Sequence, residues 1–438
     1  DDEDGETEFA SDALDFDDAE EIDEETEAFV DFEARVAAQH HSYLYKDDVE
    51  PSARNGIEAG LRVHGGVPQA TATLSVLARH DFSDEARRRI DVDEAFVDVG
   101  PAWLSLRGGR LLETWGTASL YNPTDILNPR DLRDPIEAEK LGVWALRLRS
   151  VLGPVALEGY LLPVPEAHPL PPITGLDDRG LPTSTSRWFR PFAAPVLPGP
   201  LVTNVVAGGP PEAKVQNFQG AFRAGLSVVG IDLALGYAYL FDRMPTLRLV
   251  PVTLPVPPAP TIINASLEHP RIHVGMAEIE RAFGGLRLAA EGVLVAREID
   301  DELGIDGASP YVIAVAGADY RLGQVADIHD FHFFLEALTS QAFDGELPSD
   351  PIGRIRYLAR YGALGRIRYE LDGALFVESS AFSNLEDYEV YLRPAAGYRF
   401  FERVTLELGA DLFFGDPETV MGSYRRNKRI TFELVGEI

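Results

Sequence analysis

Apolar and polar residues alternate one by one along most of the chain from residue 30 onward. In the first such run, Val30, Phe32 and Val36 alternate with charged residues at positions 31, 33 and 35. Successive side chains of a β-strand point to opposite faces, so this period of two predicts a strand with one apolar and one polar face. The pattern recurs as far as residues 429–434. It predicts about 16–18 strands, most of them roughly 9–13 residues long.

The predicted strands are joined by connections that alternate between short and long. Short connections lie near residues 66, 101, 153, 230, 285, 322, 372 and 402, and longer ones near 48, 84, 120, 190, 255, 303, 346, 384 and 420. A strand of about 10 residues crosses a bilayer at the usual tilt, and short turns on one rim with long loops on the other are typical of outer-membrane barrels. A soluble sandwich also alternates, but it does not keep this rhythm over a whole chain. The predicted fold class is all-β, a transmembrane antiparallel up-and-down β-barrel.

One stretch, about 109–137, breaks the alternation. It contains two Asn-Pro steps, Asn122-Pro123 and Asn128-Pro129. Proline at the first helical position after an asparagine cap favours a helix start, so we predict a short helical segment here. A segment of this kind between two strands of a barrel has to fold back, and we expect it to fold into the lumen. The Pro-rich stretches 163–213 and 244–270 lack periodicity and are predicted to be long loops.

The same stretch carries a recognisable motif. Gly109-Arg110, then Trp115-Gly116, then Asn122-Pro123-x-Asp125 resembles a pattern of a bacterial outer-membrane barrel family of unknown function, the DUF1302 type. That family looks related to porin-like and alginate-export-like barrels, and the match covers roughly residues 90–150. The resemblance implies a one-domain barrel in the outer membrane. It also implies contact with outer-membrane lipid and lipopolysaccharide, with the barrel-assembly machinery, and with a periplasmic partner of an export system.

Composition and charge refine this picture. The chain has 438 residues, no cysteine and a net charge of −32, and no run of about 18 apolar residues is present. Residues 1–27 contain 16 acidic and no basic residues, so we predict that 1–28 is an acidic, disordered tail and that 29–438 is a single barrel. The tail is interpreted either as solubilising or as a docking segment. The net charge disfavours nucleic acid as a partner. For an exported chain, we expect that the signal peptide has already been removed.

Acids and arginines are interspersed on the polar faces of the predicted strands. They are compatible with a cross-strand ladder of ion pairs that stiffens the interior, or with a track that selects solutes. Arginine pairs that repeat along one strand face are the best selectivity candidates. The predicted constriction and lumen residues are Arg110, Glu113, Trp115, Asp125, Arg130, Asp131, Arg133, Arg147, Arg149, Arg366 and Arg368. If Arg110 pairs with Asp125 or Asp131, these charges only hold the segment in its folded-back position and do not select solutes.

Catalytic chemistry has weak support in the sequence. There is no G-x-S-x-G elbow, P-loop or dinucleotide fingerprint. The histidines at 329 and 332 flank Asp330, which makes a weak metal-like cluster. We therefore predict no enzyme, no catalytic residue, no metal and no cofactor. The predicted function is a porin-like outer-membrane channel for solutes, narrowed by the inward segment. The alternative is a conduit for export or uptake of a lipid-like or polymeric molecule.

Overall fold

The structure is a computed structural model that describes residues 28–46, 52–176, 182–190, 201–206, 209–253, 261–298, 309–325, 328–343 and 357–438. Eighteen strands form one sheet. These strands are β1 (Phe29–Tyr43), β2 (Ala53–Val67), β3 (Ala70–Asp81), β4 (Arg89–Val99), β5 (Leu104–Leu111), β6 (Val143–Leu152), β7 (Val155–Leu162), β11 (Gln219–Val228), β12 (Ile231–Phe241), β15 (Arg271–Phe283), β16 (Leu286–Glu298), β17 (Tyr311–Val325), β18 (His329–Ala342), β19 (Tyr361–Leu371), β20 (Leu375–Asn384), β21 (Glu389–Phe400), β22 (Val404–Phe414) and β23 (Arg429–Glu437).

The remaining elements are short. Outside the barrel sheet lie the strands β8 (Gly175–Leu176), β9 (Pro182–Thr183), β10 (Leu201–Val206), β13 (Thr246–Thr253) and β14 (Thr261–Glu268). Within the described residues, the helical elements are one α-helix, α1 (Val420–Ser423), and 3-10 turns at Glu85–Arg87, Val215–Asn217 and Arg425–Asn427. No helix in the described ranges is long and apolar enough to span a bilayer.

The 18-stranded sheet is closed. Each barrel strand pairs antiparallel with the next one in the chain, and β1 pairs with β23 over the register Arg35↔Glu437 to Tyr43↔Arg429. Closure leaves no unpaired sheet edge, which is the condition for a sheet to stand in a medium without water. The predicted fold class and strand number are confirmed.

The burial pattern is inverted relative to that of a soluble protein. On β6, the apolar Trp144, Leu146 and Leu148 are exposed, whereas Arg147 between them is buried. The same holds for Leu233 and Leu235 on β12 and for many other barrel strands, whose buried faces carry Glu58, Glu158, Arg223, Glu278, Glu291, Glu336 and Arg429. The apolar faces thus point outward and the polar faces point into the barrel.

The alternation of short turns and long loops is confirmed, but the prediction for the two Pro-rich stretches is wrong. The stretches 163–213 and 244–270 are not loops throughout, because β10, β14 and β13 form a small sheet with parallel and antiparallel pairs. β-branched residues such as Thr246, Val250 and Ile262 favour strands even next to prolines. The acidic residues 1–27 lie outside the described residues, so their predicted disorder stays a prediction.

The predicted helical segment is also wrong. Residues 112–142 contain turns and bends but no helix. Asn122 does cap the next turn, because its Oδ1 accepts a hydrogen bond from the backbone N–H of Asp125 at 3.1 Å. The turn ends there, since the backbone N–H of Ile126 donates to the carbonyl of Thr124 only two residues back, and the carbonyls of Ile126 and Leu127 accept from Arg243 instead of from a next turn. Residues 112–142 are called the 112–142 segment below.

Candidate functional site

Two glycines of the family-like motif take conformations that other residues rarely adopt. Gly109 has φ +143°, and a Cβ there would lie 2.1 Å from the carbonyl oxygen of Ala95 on β4. Gly116 has φ +103°, and a Cβ there would lie 2.1 Å from Oδ1 of Asn122. The Asn122 amide also donates to the carbonyl of Trp115. The Trp-Gly and Asn-Pro steps of the motif therefore form one tight packing unit, in which only glycine fits at position 116.

Asn128 ties the two ends of the segment together. Its Nδ2 donates to the carbonyls of Leu111 and Leu141, both at 2.8 Å, and its Oδ1 accepts from the backbone N–H of Glu113 at 2.9 Å. Asn128 is buried. Because these partners flank the exit from β5 and the entry into β6, the side chain closes the base of the segment.

Two wall carboxylates hold the first part of the segment through its backbone. Glu336 on β18 accepts from the N–H groups of Ser119, Leu120 and Tyr121 at 2.6, 2.9 and 3.0 Å. Glu291 on β16 accepts from the N–H groups of Thr117 and Ala118 at 2.5 and 3.0 Å. Both carboxylates are buried. Five consecutive backbone N–H groups thus form a concave anion-binding site, and the anions bound there are the carboxylates of Glu291 and Glu336.

Apolar packing supports the same part of the segment. Trp115 is 2 % exposed, and its ring meets Tyr160 of β7 edge-on at 5.4 Å between centroids. Trp115 and Leu127 belong to a buried cluster with inward apolar residues of the wall, among them Val274, Met276, Val293, Val295, Ile313, Val315 and Leu338. The inner face of β15–β18 is therefore apolar where the segment covers it.

Glu113 connects the start of the segment to β6 and β7. Its carboxylate accepts from Nη1 of Arg147 at 3.1 and 3.2 Å and from the hydroxyl of Tyr160 at 3.0 Å. Nη1 of Arg107 lies 3.8 Å away. The predicted site residues Glu113, Trp115 and Arg147 thus come together in one contact region.

The later part of the segment presents its own acids to wall arginines. Asp134 accepts from Arg429 of β23 at 2.6 Å and from Arg54 of β2 at 3.1 Å. Glu137 accepts from Arg54 at 2.5 Å and also from Arg87. Asp134 and Arg429 are each 1 % exposed. The charges are buried and compensate one another, as a stable buried ion pair requires.

The neighbouring acids of the segment continue this contact. Asp131 binds Arg89 at 3.0 Å and Arg133 at 2.7 Å, while Glu139 binds Arg89 at 2.5 Å and also Arg79 of β3. The later part of the segment is therefore attached to β2, β3, the residues leading into β4, and β23.

Two of these acids have displaced pKa values. Burial opposes ionisation of Glu137, but Arg54, Arg87 and Arg429 outweigh it and hold the pKa of Glu137 well below its usual range. Burial also opposes ionisation of Asp131, but hydrogen bonds and charge from Arg133 lower the pKa of its carboxyl. Both groups are thus ionised at neutral pH.

The predicted pairing of Arg110 is wrong. Arg110 donates to Glu166 at 3.0 Å and to the carbonyl of Val92 at 2.7 Å. Asp125 instead pairs with Arg130 at 2.7 Å and with Lys140 at 2.8 Å. Arg110 is the register partner of the exposed Trp144 and stands on the face of β5 opposite the buried Leu111, so its guanidinium turns back to β4.

The other arginine candidates lie apart from the segment. Arg149 on β6 is 3.5 Å from Glu158, Arg368 on β19 binds Glu370 and Glu378, and Arg366 stacks over the ring of Phe334 at 4.1 Å. Arg366 and Arg368 share one face of β19, as their spacing predicts. They line a different sector of the wall from Arg147.

His329 and His332 do not form the metal-like cluster that their spacing suggested. His329 and His332 are three residues apart on β18, which places them on opposite faces, and His329 bonds to Tyr369 at 2.8 Å. His41, Asp134 and Glu137 bring possible ligand atoms within 4.8 Å of one another. Arginines already contact both of those carboxylates, which disfavours a metal cation there.

Some site residues could not be predicted from the sequence, and others could not be singled out from it. Arg54, Arg87, Glu137 and Glu139 belong to the site but stand at strand ends or inside the irregular stretch, where alternation gives no signal. Glu291, Glu336 and Arg429 lie on predicted polar faces, but nothing in the sequence distinguishes them from other polar-face residues. A polar residue inside an apolar inward face, such as Glu291 between Ala289 and Val293, is the signal that would have found the wall carboxylates.

Two cavities border the segment. One, of about 220 Å³, is lined mainly by polar residues, including Gln39, Ile136, Glu139, Arg393, Glu407 and Glu433. The other, of about 60 Å³, is lined mainly by apolar residues, including Leu132, Leu170, Ile173, Trp188, Met244 and Tyr424.

Comparison with known proteins supports the fold. No protein-family model and no curated protein matches the chain, so the DUF1302-type resemblance is not confirmed. Among solved structures, OccAB3 of Acinetobacter baumannii is similar at 12 % identity, with 93 % of this chain and 99 % of that chain covered and a TM-score of 0.51. OccK11 (OpdR) of Pseudomonas aeruginosa shows 9 % identity, 94 % and 96 % coverage and a TM-score of 0.49. OmpF of Salmonella typhi in complex with daunomycin shows 9 % identity, 93 % and 97 % coverage and a TM-score of 0.44. The first of these shows that the chain shares a barrel fold with OccAB3.

Proposed function

We propose that this chain is an outer-membrane channel in which the 112–142 segment lies across the barrel lumen and narrows the path for solutes. The observation that carries the proposal is the spread of the segment's partners around the barrel. Tyr121 binds at β18, Glu113 at β6 and Asp134 at β23. A segment tied to three separate sectors of a closed sheet has to cross the space that they enclose.

The space beside the segment supports a polar path. The cavity of about 220 Å³ lies between residues 136–139 of the segment and the strands β21–β23 and β1. Its lining of carboxylates, guanidiniums and amides favours water and small polar solutes over lipid. We propose that solutes pass on this side of the segment, since the other side is filled by the apolar cluster around Trp115.

The outward apolar faces support a place in the outer membrane, where closed barrels with polar interiors are found. Contact with lipopolysaccharide, with the barrel-assembly machinery and with a periplasmic export partner remains a proposal that follows from this location. Fractionation of cells that produce the protein tests the location: recovery with the inner membrane or the soluble fraction would overturn it.

Cysteine labelling tests the channel directly, because the chain has no cysteine of its own. We expect that an Ile136→Cys variant in planar bilayers loses conductance when a charged methanethiosulfonate is added, since Ile136 lines the polar cavity. A Leu235→Cys variant is the matched control, because Leu235 is 67 % exposed on the outer face. Equal responses of the two variants, or no conductance in the unmodified chain, would contradict the proposal.

Deletion of Asn122–Pro135 is the second test of the segment. Removing these residues should raise single-channel conductance, because the lumen loses its crossing chain. A heat-modifiable gel shift of the deleted protein shows whether the barrel still closes. A folded barrel with unchanged conductance would place the segment outside the conducting path.

A conduit for a lipid-like or polymeric molecule is the second candidate, and the apolar cavity near Trp188 favours it. That cavity holds about 60 Å³, enough for a small apolar group but not for an acyl chain. The apolar run 249–256 that suggested a shielded route lies partly outside the described residues. Retained lipid in native mass spectra, together with absent conductance, would favour this second function.

A further inference from the structure

Strands β19–β21 form a sector of the wall between two attachment sites of the segment, β18 on one side and β23 on the other. Three inward residues lie side by side there, because Arg366 is the register partner of Ser380 and Ser380 that of Arg393. Their outward neighbours Ile367 and Val377 are 56 % and 49 % exposed, which fixes the inward direction of the three. Adjacent strands are about 4.8 Å apart, so the three side chains span roughly 10 Å of wall.

Arg366 has no acidic partner in the part of the chain that the structure describes. Its guanidinium lies 4.1 Å from the ring centroid of Phe334 and makes no hydrogen bond or ion pair with any residue that the structure describes. Its Nε is buried. The other inward arginine of the strand, Arg368, is held by Glu370 at 2.7 Å and by Glu378 at 3.3 Å. An arginine that keeps its donors unused beside a paired one is available to an outside acceptor.

Arg393 is also weakly engaged. Its nearest carboxylates, Glu407 and Asp411, are each 4.0 Å away, beyond hydrogen-bond distance. Asp411 already accepts from Arg429 at 2.5 Å and from Tyr391 at 2.7 Å. The side chain of Arg393 is 36 % exposed and lines the polar cavity. It is thus accessible from the proposed path.

We propose that Arg366 and Arg393, with the hydroxyl of Ser380 between them, form a binding site for small oxyanionic solutes that carry a carboxylate or phosphate group. Two guanidiniums with one strand between them supply the charge-assisted hydrogen bonds that such groups prefer. Ser380 lies 3.3 Å from Glu378, and an incoming oxyanion takes over as the acceptor of its proton. The inference rests on the proposed channel, because solutes reach this wall through the lumen.

Calorimetric titration of the purified full-length chain in detergent tests the site. The probes are succinate, inorganic phosphate and uncharged succinamide. We expect saturable binding of succinate, phosphate or both, and none of succinamide. The variants Arg366→Gln and Arg393→Gln should each weaken binding about tenfold, the loss of one charge-assisted contact.

A charge-neutral control separates the site from a general change of lumen charge. The double variant Arg223→Gln/Glu278→Gln removes one charge of each sign from an inward pair on β11 and β15. Its affinity should stay within about twofold of that of the unmodified chain, since this pair stands in a different sector of the wall from β19–β21. Equal weakening in control and site variants, binding of succinamide as strong as that of succinate, or no binding of either anion would overturn the site. Gel mobility of the folded barrel verifies that each variant has folded.

Conductance separates this inference from the proposed function. A chain that conducts but binds neither anion overturns the site and leaves the channel standing. A chain that binds an anion but does not conduct overturns the channel and leaves the site standing.

Discussion

The two halves of the 112–142 segment are held to the barrel in opposite ways. In residues 115–127 the wall supplies the carboxylates, Glu291 and Glu336, and the segment supplies backbone amides. In residues 129–142 the segment supplies the carboxylates and the wall supplies arginines such as Arg54 and Arg429. The first half is therefore fixed by backbone shape and apolar packing, and the second half by compensated charge.

This difference predicts which conditions act on which half. The first half buries Trp115 and Leu127 in an apolar cluster, whose packing does not depend on charge, although two wall carboxylates also bind its amides. The second half places several acids against arginines, so its attachment depends on those groups staying charged. Salt has a weak effect on both halves because the pairs are buried.

The largest expected effect is that of Asp134→Asn in the second half. The change removes one of the buried carboxylates that Arg429 and Arg54 share, while Asp411 and Glu137 stay in contact with them, so we expect a cost of about 3 kcal/mol, the lower end of the range for breaking a buried pair. Urea unfolding of the refolded barrel in detergent micelles measures this free energy. Glu212→Gln, at an exposed pair with Lys214, is the control and should cost less than about 1 kcal/mol. A cost below about 1 kcal/mol at Asp134 would remove the distinction between the halves.

Glu336→Gln in the first half should have a smaller effect. The amide oxygen takes the place of Oε1 and still accepts from the N–H groups of residues 119 and 120, whereas the amide NH2 in the place of Oε2 cannot accept from Tyr121. The variant therefore loses charge assistance and one contact, and we expect a cost of about 1.5–3 kcal/mol in the same unfolding measurement. Glu298→Gln is the matched control, since Glu298 is half-exposed on the outer face. A loss greater than that of Asp134→Asn would show that the first half is also held mainly by charge.

The smallest expected effect is that of mild acid. The folded-state pKa values of Glu137 and Asp131 are lowered, so the stability they contribute is present above their unfolded pKa values of about 4 and is lost as pH falls through the folded values. The attachment of the second half should therefore hold from about pH 7 to pH 5 and loosen below about pH 4, which makes the conductance noisier there. In Glu137→Gln this low-pH change should shrink. A low-pH change of equal size in Glu137→Gln and in the unmodified chain would contradict the assignment.

The barrel could be predicted from the sequence because its signal is local. Val404, Leu406 and Leu408 alternate with polar residues whatever strand they pair with, and closure follows from the number and lengths of such runs. The position of the irregular segment was predictable for the same reason. Its helix was predicted wrongly because Asn122-Pro123 is a local start signal, whereas the carbonyls of Ile126 and Leu127, which a helix would use, are bound by Arg243, 117 and 116 residues away.

The partners of the site were beyond sequence reasoning. Asp134 and Arg429 are 295 residues apart, and their contact depends on the register of β23 and on the path of the segment together. A pairing of Arg110 with Asp125 or Asp131 was predicted from their proximity in the sequence, but its place at the end of β5 turns it toward Glu166. The distinction between Arg366 and Arg368 likewise depends on which cross-strand neighbours are acids.

The hydrogen bonds from the backbone N–H groups of residues 117–121 to Glu291 and Glu336 have a consequence for how this protein can diversify. Every amino acid except proline has a backbone N–H, so these hydrogen bonds do not depend on which side chains stand at residues 117–121. The side chains of Ala118 and Tyr121 are fixed separately, because they pack against the buried apolar cluster. A library that varies only Ser119 and Leu120, and excludes proline, should therefore retain folded barrels.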